Sequence, residues 1–185
     1  MKLIKTIFDD AYLIETEVYK DYRGFFIESY NFQSFEKEGL HYNFIQDNHS
    51  LSKEVGTIRG LHYQIEPYDQ TKLVRVIHGG IYEVIVDLRK GSPTYKQWQG
   101  FILLKDNNRQ LLVPKGFAHG FCTLVPNTEV IYKVDNYYSA EHDRGIAWDD
   151  STLNIPWPIS NPILSEKDLQ HPCINDADLH FIYKK

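Results

Sequence analysis

The sequence has few cysteines, fewer basic than acidic residues (20 against 25) and no long apolar run. Only Cys122 and Cys173 occur among its 185 residues, and no metal-ligand spacing surrounds them, so we expect free thiols in a reducing compartment. The formal net charge is -5, and no cluster of Lys and Arg offers the footprint that a nucleic-acid backbone requires. Asp9 and Asp10 interrupt the first apolar stretch, which argues against a signal peptide or membrane span there. We therefore expect a cytoplasmic protein that binds neither nucleic acid nor membrane.

Helix signals are scarce as well. Asn31 or Ser34 is predicted to cap one short helix that ends at Gly39, and Ser165 to Asp168 has the form of a capping box before a C-terminal turn. Segments rich in Val, Ile, Tyr, Phe and Thr recur instead, which is typical of strands. These segments are 12–19, 24–30, 57–64, 72–79, 80–89, 96–104, 109–114, 119–126 and 129–138. Turn residues at 78–80, 90–93 and 106–108 predict hairpins between them.

The strand pattern predicts a single all-β domain over residues 1–185, because the length fits one domain and no linker or repeat divides the chain. In 80–88, Glu83 and Asp87 alternate with apolar residues such as Val84 and Val86. One face is expected to meet a core and the other to carry Glu83 and Asp87. A sandwich or a barrel fits this pattern, and a barrel removes exposed edges.

Two histidine motifs resemble the two signature halves of the cupin barrel. They are 56–64, which contains His62, and 114–119, which contains His119. This resemblance implies a jelly-roll β-barrel with few short helices. A metal-binding cupin would carry a second His two places after the first and a Glu shortly beyond, but Gln64 stands at that place. Only His62 and His119 remain as ligands, and the cationic Lys72 nearby favours an anionic ligand over a metal ion. We therefore expect a metal-free barrel.

Six separated motifs occur in order along the chain. They are 21–28, 46–48, 56–64, 114–121, 136–138 and 165–168. Together they resemble the dTDP-4-dehydrorhamnose 3,5-epimerase family, and six motifs in order are harder to obtain by chance than one. The resemblance implies an isomerase without a cofactor. It would epimerise C3 and C5 of dTDP-4-dehydro-6-deoxy-D-glucose to dTDP-4-dehydro-L-rhamnose, in dTDP-L-rhamnose biosynthesis.

The resemblance also implies four catalytic roles. His62 would remove the protons next to the C4 ketone, and its unperturbed pKa of about 6.5 suits a base at neutral pH. Asp168 would orient His62. Lys72 would stabilise the enolate, and Tyr132 would return the proton from the opposite face, since a phenol is a suitable weak acid.

A nucleotide site follows from the same resemblance. Arg23 and Arg59 would bind the diphosphate through their planar guanidinium groups, and Phe25 and Tyr138 would enclose the thymine. The other implied contacts are Glu28, Gln46, Asn48, His119, Asp143 and Lys167, with Asp143 standing where the family often has Glu. In the family the first strands commonly cross to a partner subunit. That implies a homodimer in which Arg23, Phe25 and Glu28 complete the neighbouring site.

Other interpretations stay open from the sequence. A single-site 3- or 5-epimerase or a 3,4-ketoisomerase acting on a related nucleotide-deoxysugar would share these motifs. A metal cupin oxygenase or isomerase would retain bound metal, and a non-catalytic cupin would not need the catalytic set. The remaining histidines lie outside any motif and are expected on the solvated surface: His41, His49, His78, His142, His171 and His180.

Overall fold

The structure, a computed structural model, describes residues 1–184. Within that range the chain forms mostly strands, with one short helix and two 3-10 turns at Lys105–Asn107 and Asp168–Gln170. The elements are β1 (Lys2–Lys5), β2 (Tyr12–Glu15), β3 (Val18–Asp21), β4 (Gly24–Ile27), α1 (Phe32–Lys37), β5 (Gln46–Ser52), β6 (Ile58–Gln64), β7 (Lys72–His78), β8 (Gly80–Asp87), β9 (Trp98–Leu104), β10 (Arg109–Val113), β11 (Phe117–Thr123), β12 (Thr128–Val134) and β13 (Asp143–Gly145). The predicted scarcity of helix is confirmed.

Two antiparallel sheets face each other and build the barrel. The six-stranded sheet has the order β1-β2-β10-β7-β12-β5, and the five-stranded sheet has the order β13-β6-β11-β8-β9. Strands distant in the chain are neighbours, as where β10 lies between β2 and β7, which is typical of a jelly roll. β3 and β4 pair only with each other in a separate hairpin. The predicted all-β, cupin-type jelly roll is confirmed.

Apolar side chains from both sheets meet in the barrel interior. Val74 of β7 and Val130 of β12 pack with Ile81 and Ile85 of β8, and all four are almost fully buried. These residues alternate along their strands, because successive side chains of a strand point to opposite faces. Truncating one of them, as in Ile85→Ala, is expected to lower the unfolding free energy by about 2 to 5 kcal/mol.

Strand β8 is buried on both faces, which corrects one expectation. Ile81, Glu83, Ile85 and Asp87 point into the barrel, as their alternation predicts, and both carboxylates are fully buried. Val84, Val86 and Leu88, on the other face, pack under the C-terminal segment with Ile174 and Phe181. The sequence pattern did not show that the tail covers the outer face of this sheet.

The short helix covers the outer face of the six-stranded sheet. Asn31 caps it by accepting a hydrogen bond from the Ser34 backbone N–H at 3.1 Å, as expected of an N-cap. Phe35 is buried from its inner side against Ile14 and Leu112. The predicted short helix is confirmed with Asn31 as the cap, but it ends at Lys37, two residues before the predicted Gly39. Of the helices within residues 1–184, none has the length and apolar character that crossing a membrane requires.

Three strands were not predicted, and one predicted strand is divided. β1, β5 and β13 are absent from the sequence prediction, and segment 12–19 contains the whole of β2 and the start of β3. β5 was missed because it reads Gln-Asp-Asn-His-Ser-Leu-Ser, which has almost no apolar residue. Its inward side chains line a polar cavity, so the usual alternation of apolar and polar residues does not arise.

Candidate active site

A polar cavity opens between the two sheets where apolar core residues give way to charged ones. Its volume is about 390 Å³, and an adjoining cavity of about 440 Å³ shares His62, Lys72 and Tyr132 with it. Most of the predicted site residues line this joint space: His62, Lys72, Tyr132, Asp168, Arg59, His119 and Lys167, with Gln46, Asn48, Tyr138 and Asp143 in the adjoining part. The fold therefore brings together residues that lie far apart in sequence.

Strand alternation sets the positions of the two motif histidines. His62 of β6 is paired in register with His119 of β11, and both side chains face the cavity. Leu61, Tyr63 and Ala118, which flank them, point the other way and are buried against the tail. Those outer contacts fix the strands, so the two imidazoles are held on a rigid wall.

His62 is held by Asp168, which enters from the 3-10 turn after β13. The His62 Nε2 and Asp168 Oδ1 atoms are 2.5 Å apart, and the Ser165 hydroxyl donates to Asp168 Oδ2 at 2.8 Å. Burial works to raise the pKa of the Asp168 carboxyl, but the neighbouring His171 and His62 outweigh it and keep that pKa below its ordinary value. The ionised carboxylate fixes a proton on Nε2 and leaves Nδ1 as the free nitrogen of His62.

The opposite wall belongs to the six-stranded sheet and carries Lys72 and Tyr132. Lys72 of β7 is paired with Val134 of β12, two residues after Tyr132, so both side chains point inward. Burial lowers the pKa of the Lys72 amine to about 8, while the charges of Glu83 and Asp143 oppose it. Burial raises the pKa of the Tyr132 phenol. Near neutral pH this wall therefore offers an ammonium cation and a protonated phenol.

His119 has a carboxylate partner that the sequence interpretation missed. Its Nδ1 lies 2.6 Å from Oε1 of Glu83 on β8. Burial raises the pKa of Glu83 to about 8, against the charge of Lys72. Burial and the charge of Lys72 lower the pKa of His119 well below its ordinary value. We therefore assign a protonated Glu83 that donates to Nδ1 of a neutral His119, whose Nε2–H then serves as a donor.

Asp143, Tyr138 and Lys167 form a linked group at the cavity mouth. The Tyr138 hydroxyl donates to Asp143 Oδ2 at 2.9 Å, and the Lys167 amine donates to the same oxygen. On β5, the Gln46 amide donates to Asn48 Oδ1 at 2.9 Å. Although Asp143 is one methylene shorter than the Glu common in the family, it reaches both Tyr138 and Lys167. Together with Gln46 and Asn48, these residues present a cation, a phenol and two amides to a ligand.

Gln64 occupies the position of the second cupin histidine and has a structural task. Its amide donates to the backbone oxygens of Tyr68 at 2.6 Å and Tyr137 at 3.1 Å, and its side-chain oxygen accepts from the Ser139 backbone N–H. With these bonds made, Gln64 ties two loops to β6. The residue that replaces the second cupin histidine is therefore used to hold these loops.

Comparison with known proteins assigns the family. Residues 5–176 match the family described as dTDP-4-dehydrorhamnose 3,5-epimerase. The chain belongs to this family. A dTDP-4-dehydrorhamnose 3,5-epimerase of Shigella flexneri is 50% identical to this epimerase over 179 residues, which are 96% of this chain and 98% of that protein. The resemblance seen in the six motifs is confirmed, and the protein is an isomerase.

Solved structures show the same architecture. The dTDP-4-dehydrorhamnose 3,5-epimerase of Bacillus anthracis strain Ames, solved with TDP and PPi bound, is 62% identical with a TM-score of 0.92, over 93% of this chain and 98% of that one. The dTDP-6-deoxy-D-glucose-3,5-epimerase of Legionella pneumophila, solved in complex with dTDP-4-keto-L-rhamnose, is 41% identical with a TM-score of 0.94, over 100% and 99%. The barrel of this epimerase is therefore the family barrel.

Three predicted site residues of the epimerase lie outside the cavity of their own chain. Arg23 and Phe25 are on the β3–β4 hairpin, and Glu28 follows it. They line separate depressions on the surface, and the Arg23 side chain is 74% exposed. One chain by itself does not bring them to His62.

Two residues beside the site were missed from the sequence. Glu83 was missed because a lone carboxylate in an alternating strand usually faces solvent. His171 was expected on the solvated surface, which is wrong: its side chain is only 10% exposed and its Nε2 lies 3.5 Å from Asp168 Oδ1. The position of His171 three residues after Asp168 is the one signal that could have found it.

Proposed function

We propose that this epimerase inverts C3 and C5 of dTDP-4-dehydro-6-deoxy-D-glucose, giving dTDP-4-dehydro-L-rhamnose for dTDP-L-rhamnose biosynthesis. The observation that carries the proposal is the placement of His62 and Tyr132 on facing walls of one cavity. Inversion removes a proton from one face of a carbon and returns one to the other, which suits this placement better than a ketoisomerase that keeps one face. The unpaired cysteines suit the reducing cytoplasm, where we place the reaction.

Proton removal is the first step. The free Nδ1 of His62 takes the proton from C3 or C5, and the electron pair of that C–H bond moves toward the C4 oxygen to form an enolate. Asp168 stabilises the imidazolium that results. The Lys72 ammonium stabilises the enolate more than the ketone, an effect worth about 3 to 4 kcal/mol for one well-placed donor.

Proton return completes the inversion. The Tyr132 phenol donates its proton to the carbon from the opposite face, and the enolate electrons re-form the C4 ketone. Tyr132 is then a phenolate and His62 an imidazolium, and exchange with water restores both before the second carbon reacts. The scheme assigns every proton to a side chain or to water, so it requires no cofactor and no metal ion.

The groups at the mouth are proposed to hold the nucleotide. The Arg59 guanidinium is exposed at the cavity, where it donates to the Ser52 hydroxyl at 3.1 Å and keeps further donors free for a diphosphate. Lys167 adds a second cation, and Tyr138 offers a ring for the thymine. Gln46, Asn48, His119 and Asp143 are proposed as polar contacts to the nucleotide sugar. Charge placement supports this assignment, since an anionic diphosphate favours fixed cations.

We propose that the functional form is a homodimer with shared sites. The β3–β4 hairpin pairs with neither sheet of its own chain, and it exposes large aromatic side chains, among them Phe25 and Phe26 at 55% and 67%. Exposed aromatic surface of this kind favours contact with another protein. In the dimer, Arg23, Phe25 and Glu28 would enter the neighbouring cavity and contact the nucleotide.

Deuterium exchange tests the assigned chemistry. Proton NMR of dTDP-4-keto-6-deoxy-D-glucose in D2O should show loss of the C3 and C5 protons with the wild-type enzyme. His62→Ala and Tyr132→Phe should each abolish or redirect epimerisation while dTDP binding, measured by calorimetry, stays intact. His49→Ala and Tyr137→Phe, at exposed positions, serve as matched controls. Normal turnover by either active-site variant contradicts its assigned role, and exchange at one carbon only would make the enzyme a single-site epimerase.

Subunit complementation tests the shared site. Homodimers of His62→Ala and of Arg23→Ala should each be weak enzymes. Refolding the two together should restore activity, because a mixed dimer holds one site with an intact His62 and an intact Arg23. A mixture of His62→Ala with Tyr132→Phe is the control, since it regains no complete cavity if both residues come from one chain. Activity that does not rise in the first mixture contradicts the shared site.

A further inference from the structure

A second imidazole lies beside the His62–Asp168 pair and has no role in the proposed reaction. The ring of His171 lies 5.5 Å from that of His62, edge to face at 77°. Its Nε2 is buried and makes no hydrogen bond to any part of residues 1–184, because 3.5 Å to Asp168 Oδ1 exceeds a good hydrogen bond. A buried polar atom without a partner is uncommon and calls for an explanation.

The position of His171 is enforced by packing. Gly145 of β13 is paired in register with His62, and a Cβ at position 145 would run into the His171 ring. The absent side chain of Gly145 makes the space in which the ring sits. The backbone next to His171 is also held in place, because the Ala147 N–H donates a hydrogen bond to the Pro172 oxygen at 2.8 Å. The imidazole is therefore fixed against the dyad.

We propose that His62, Asp168 and His171 form a binding site for Zn²⁺ that inhibits the enzyme. One nitrogen of each imidazole and one carboxylate oxygen lie within 4.8 Å of one another. Two imidazoles and a carboxylate, with the fourth position open, make a ligand set that suits zinc. The metal would give the buried Nε2 of His171 a partner, which residues 1–184 do not supply.

The inhibition follows from the chemistry of His62. Zinc binds the nitrogen lone pair and displaces the proton shared by Nε2 and Asp168, since metal ligands must be deprotonated. The Nε2 proton leaves to water and Nδ1 takes up a proton from water, because a neutral imidazole with a metal on Nε2 carries its one proton on Nδ1. The nitrogen assigned as the base then has no free lone pair, and the Asp168 carboxylate is occupied by the metal. This step rests on the proposed role of His62, whereas metal binding does not.

The test compares binding and catalysis in the same preparations. Wild type, His171→Asn and His49→Asn are freed of metal with a chelator. Zn²⁺ is then titrated by calorimetry, and deuterium exchange into the substrate is followed at buffered free zinc. His49→Asn is the matched control because His49 also pairs with a carboxylate, Glu129, at 2.8 Å, but on the surface. Mg²⁺, which prefers six oxygen ligands, is the control ion.

The wild type and His49→Asn are expected to bind one Zn²⁺ per chain at this site and to lose exchange activity as it fills, with no effect of Mg²⁺. His171→Asn should bind zinc at least about tenfold more weakly and need proportionally more zinc for inhibition. Inhibition is expressed for each variant relative to its own activity without metal.

Three results would overturn the proposal. An absence of stoichiometric zinc binding in the wild type removes the site, and so does a His171→Asn variant that is as zinc-sensitive as the wild type. Zinc binding that depends on His171 but leaves exchange unchanged overturns the inhibitory step, together with the proposed role of His62. His171→Gln, which keeps more of the side-chain bulk over Gly145, guards against a folding defect in His171→Asn.

Discussion

The two histidine–carboxylate pairs of the cavity are built from the same chemical groups but hold their protons differently. Both histidines lie on the five-stranded wall, and the distances are 2.5 Å from His62 to Asp168 and 2.6 Å from His119 to Glu83. The pKa of Asp168 is lowered, whereas the pKa of Glu83 is raised to about 8. One carboxylate is therefore ionised near neutral pH and the other is protonated.

The difference comes from the surroundings of each carboxylate. The Asp168 carboxylate accepts a hydrogen bond from the Ser165 hydroxyl and lies beside the imidazoles of His171 and His62. Glu83 is fully buried inside the barrel, and its Oε2 has no hydrogen-bond partner within the described chain. Desolvation raises a carboxyl pKa and hydrogen bonds to the anion lower it. The first pair is thus suited to a base, and the second to a fixed hydrogen-bond donor.

The largest effect is expected when the ionised member is neutralised. Asp168→Asn removes the charge that holds the Nε2 proton and stabilises the imidazolium of His62, so kcat should fall by about 10² to 10⁴. Calorimetry should show unchanged affinity for dTDP. Asp47→Asn, at a surface carboxylate that pairs with Lys133, is the control and should keep full activity. A loss of less than tenfold in Asp168→Asn would contradict the assigned role.

The two carboxylates should also give pH dependences of opposite sign. The pKa of Glu83 rises on folding from 4.5 to about 8, so its contribution to the unfolding free energy is full below 4.5 and is lost as pH rises toward 8. The pKa of Asp168 falls on folding, so its contribution is full above its ordinary value and is lost as pH falls. In urea unfolding between pH 4.5 and 8, the unfolding free energy of Glu83→Gln should increase relative to that of the wild type as pH rises.

The comparison at lower pH uses the other carboxylate. Asp168→Asn should be less stable than the wild type near neutral pH, and this gap should narrow as pH falls below the ordinary Asp value, because the wild type then loses the same charge. Parallel pH profiles for the two variants would contradict the opposite protonation states of the pairs.

The smallest effect is expected when the protonated member is replaced by a neutral isostere. The Gln amide in Glu83→Gln can donate to His119 Nδ1 as the protonated carboxyl does. The kcat at neutral pH should therefore fall by less than about tenfold, roughly the worth of one neutral hydrogen bond. Glu83→Ala, which removes the donor, should lose more. A loss in Glu83→Gln as large as that in Asp168→Asn would show that Glu83 acts as an anion.

The predictive power of the sequence differed between these two pairs for a physical reason. His62 and Asp168 stand in motifs whose residue types and order carry information, so both were predicted although they are 106 residues apart. Glu83 stands in a strand whose alternation does not tell which face the tail will cover. β5 was missed in the same way, because its inward residues, Gln46 and Asn48 among them, face a polar cavity.

The sequence by itself determined the local chemistry of this protein: alternating strands, turns at glycine and asparagine, a short helix capped at Asn31 or Ser34, and the motif residues. These depend on neighbours in the chain, and short-range sterics and hydrogen bonding decide them. The tertiary structure alone decided which faces are buried, and through burial the protonation of Glu83 and the position of His171 beside Asp168. Both depend on contacts between distant segments, whose geometry and desolvation a linear pattern does not encode.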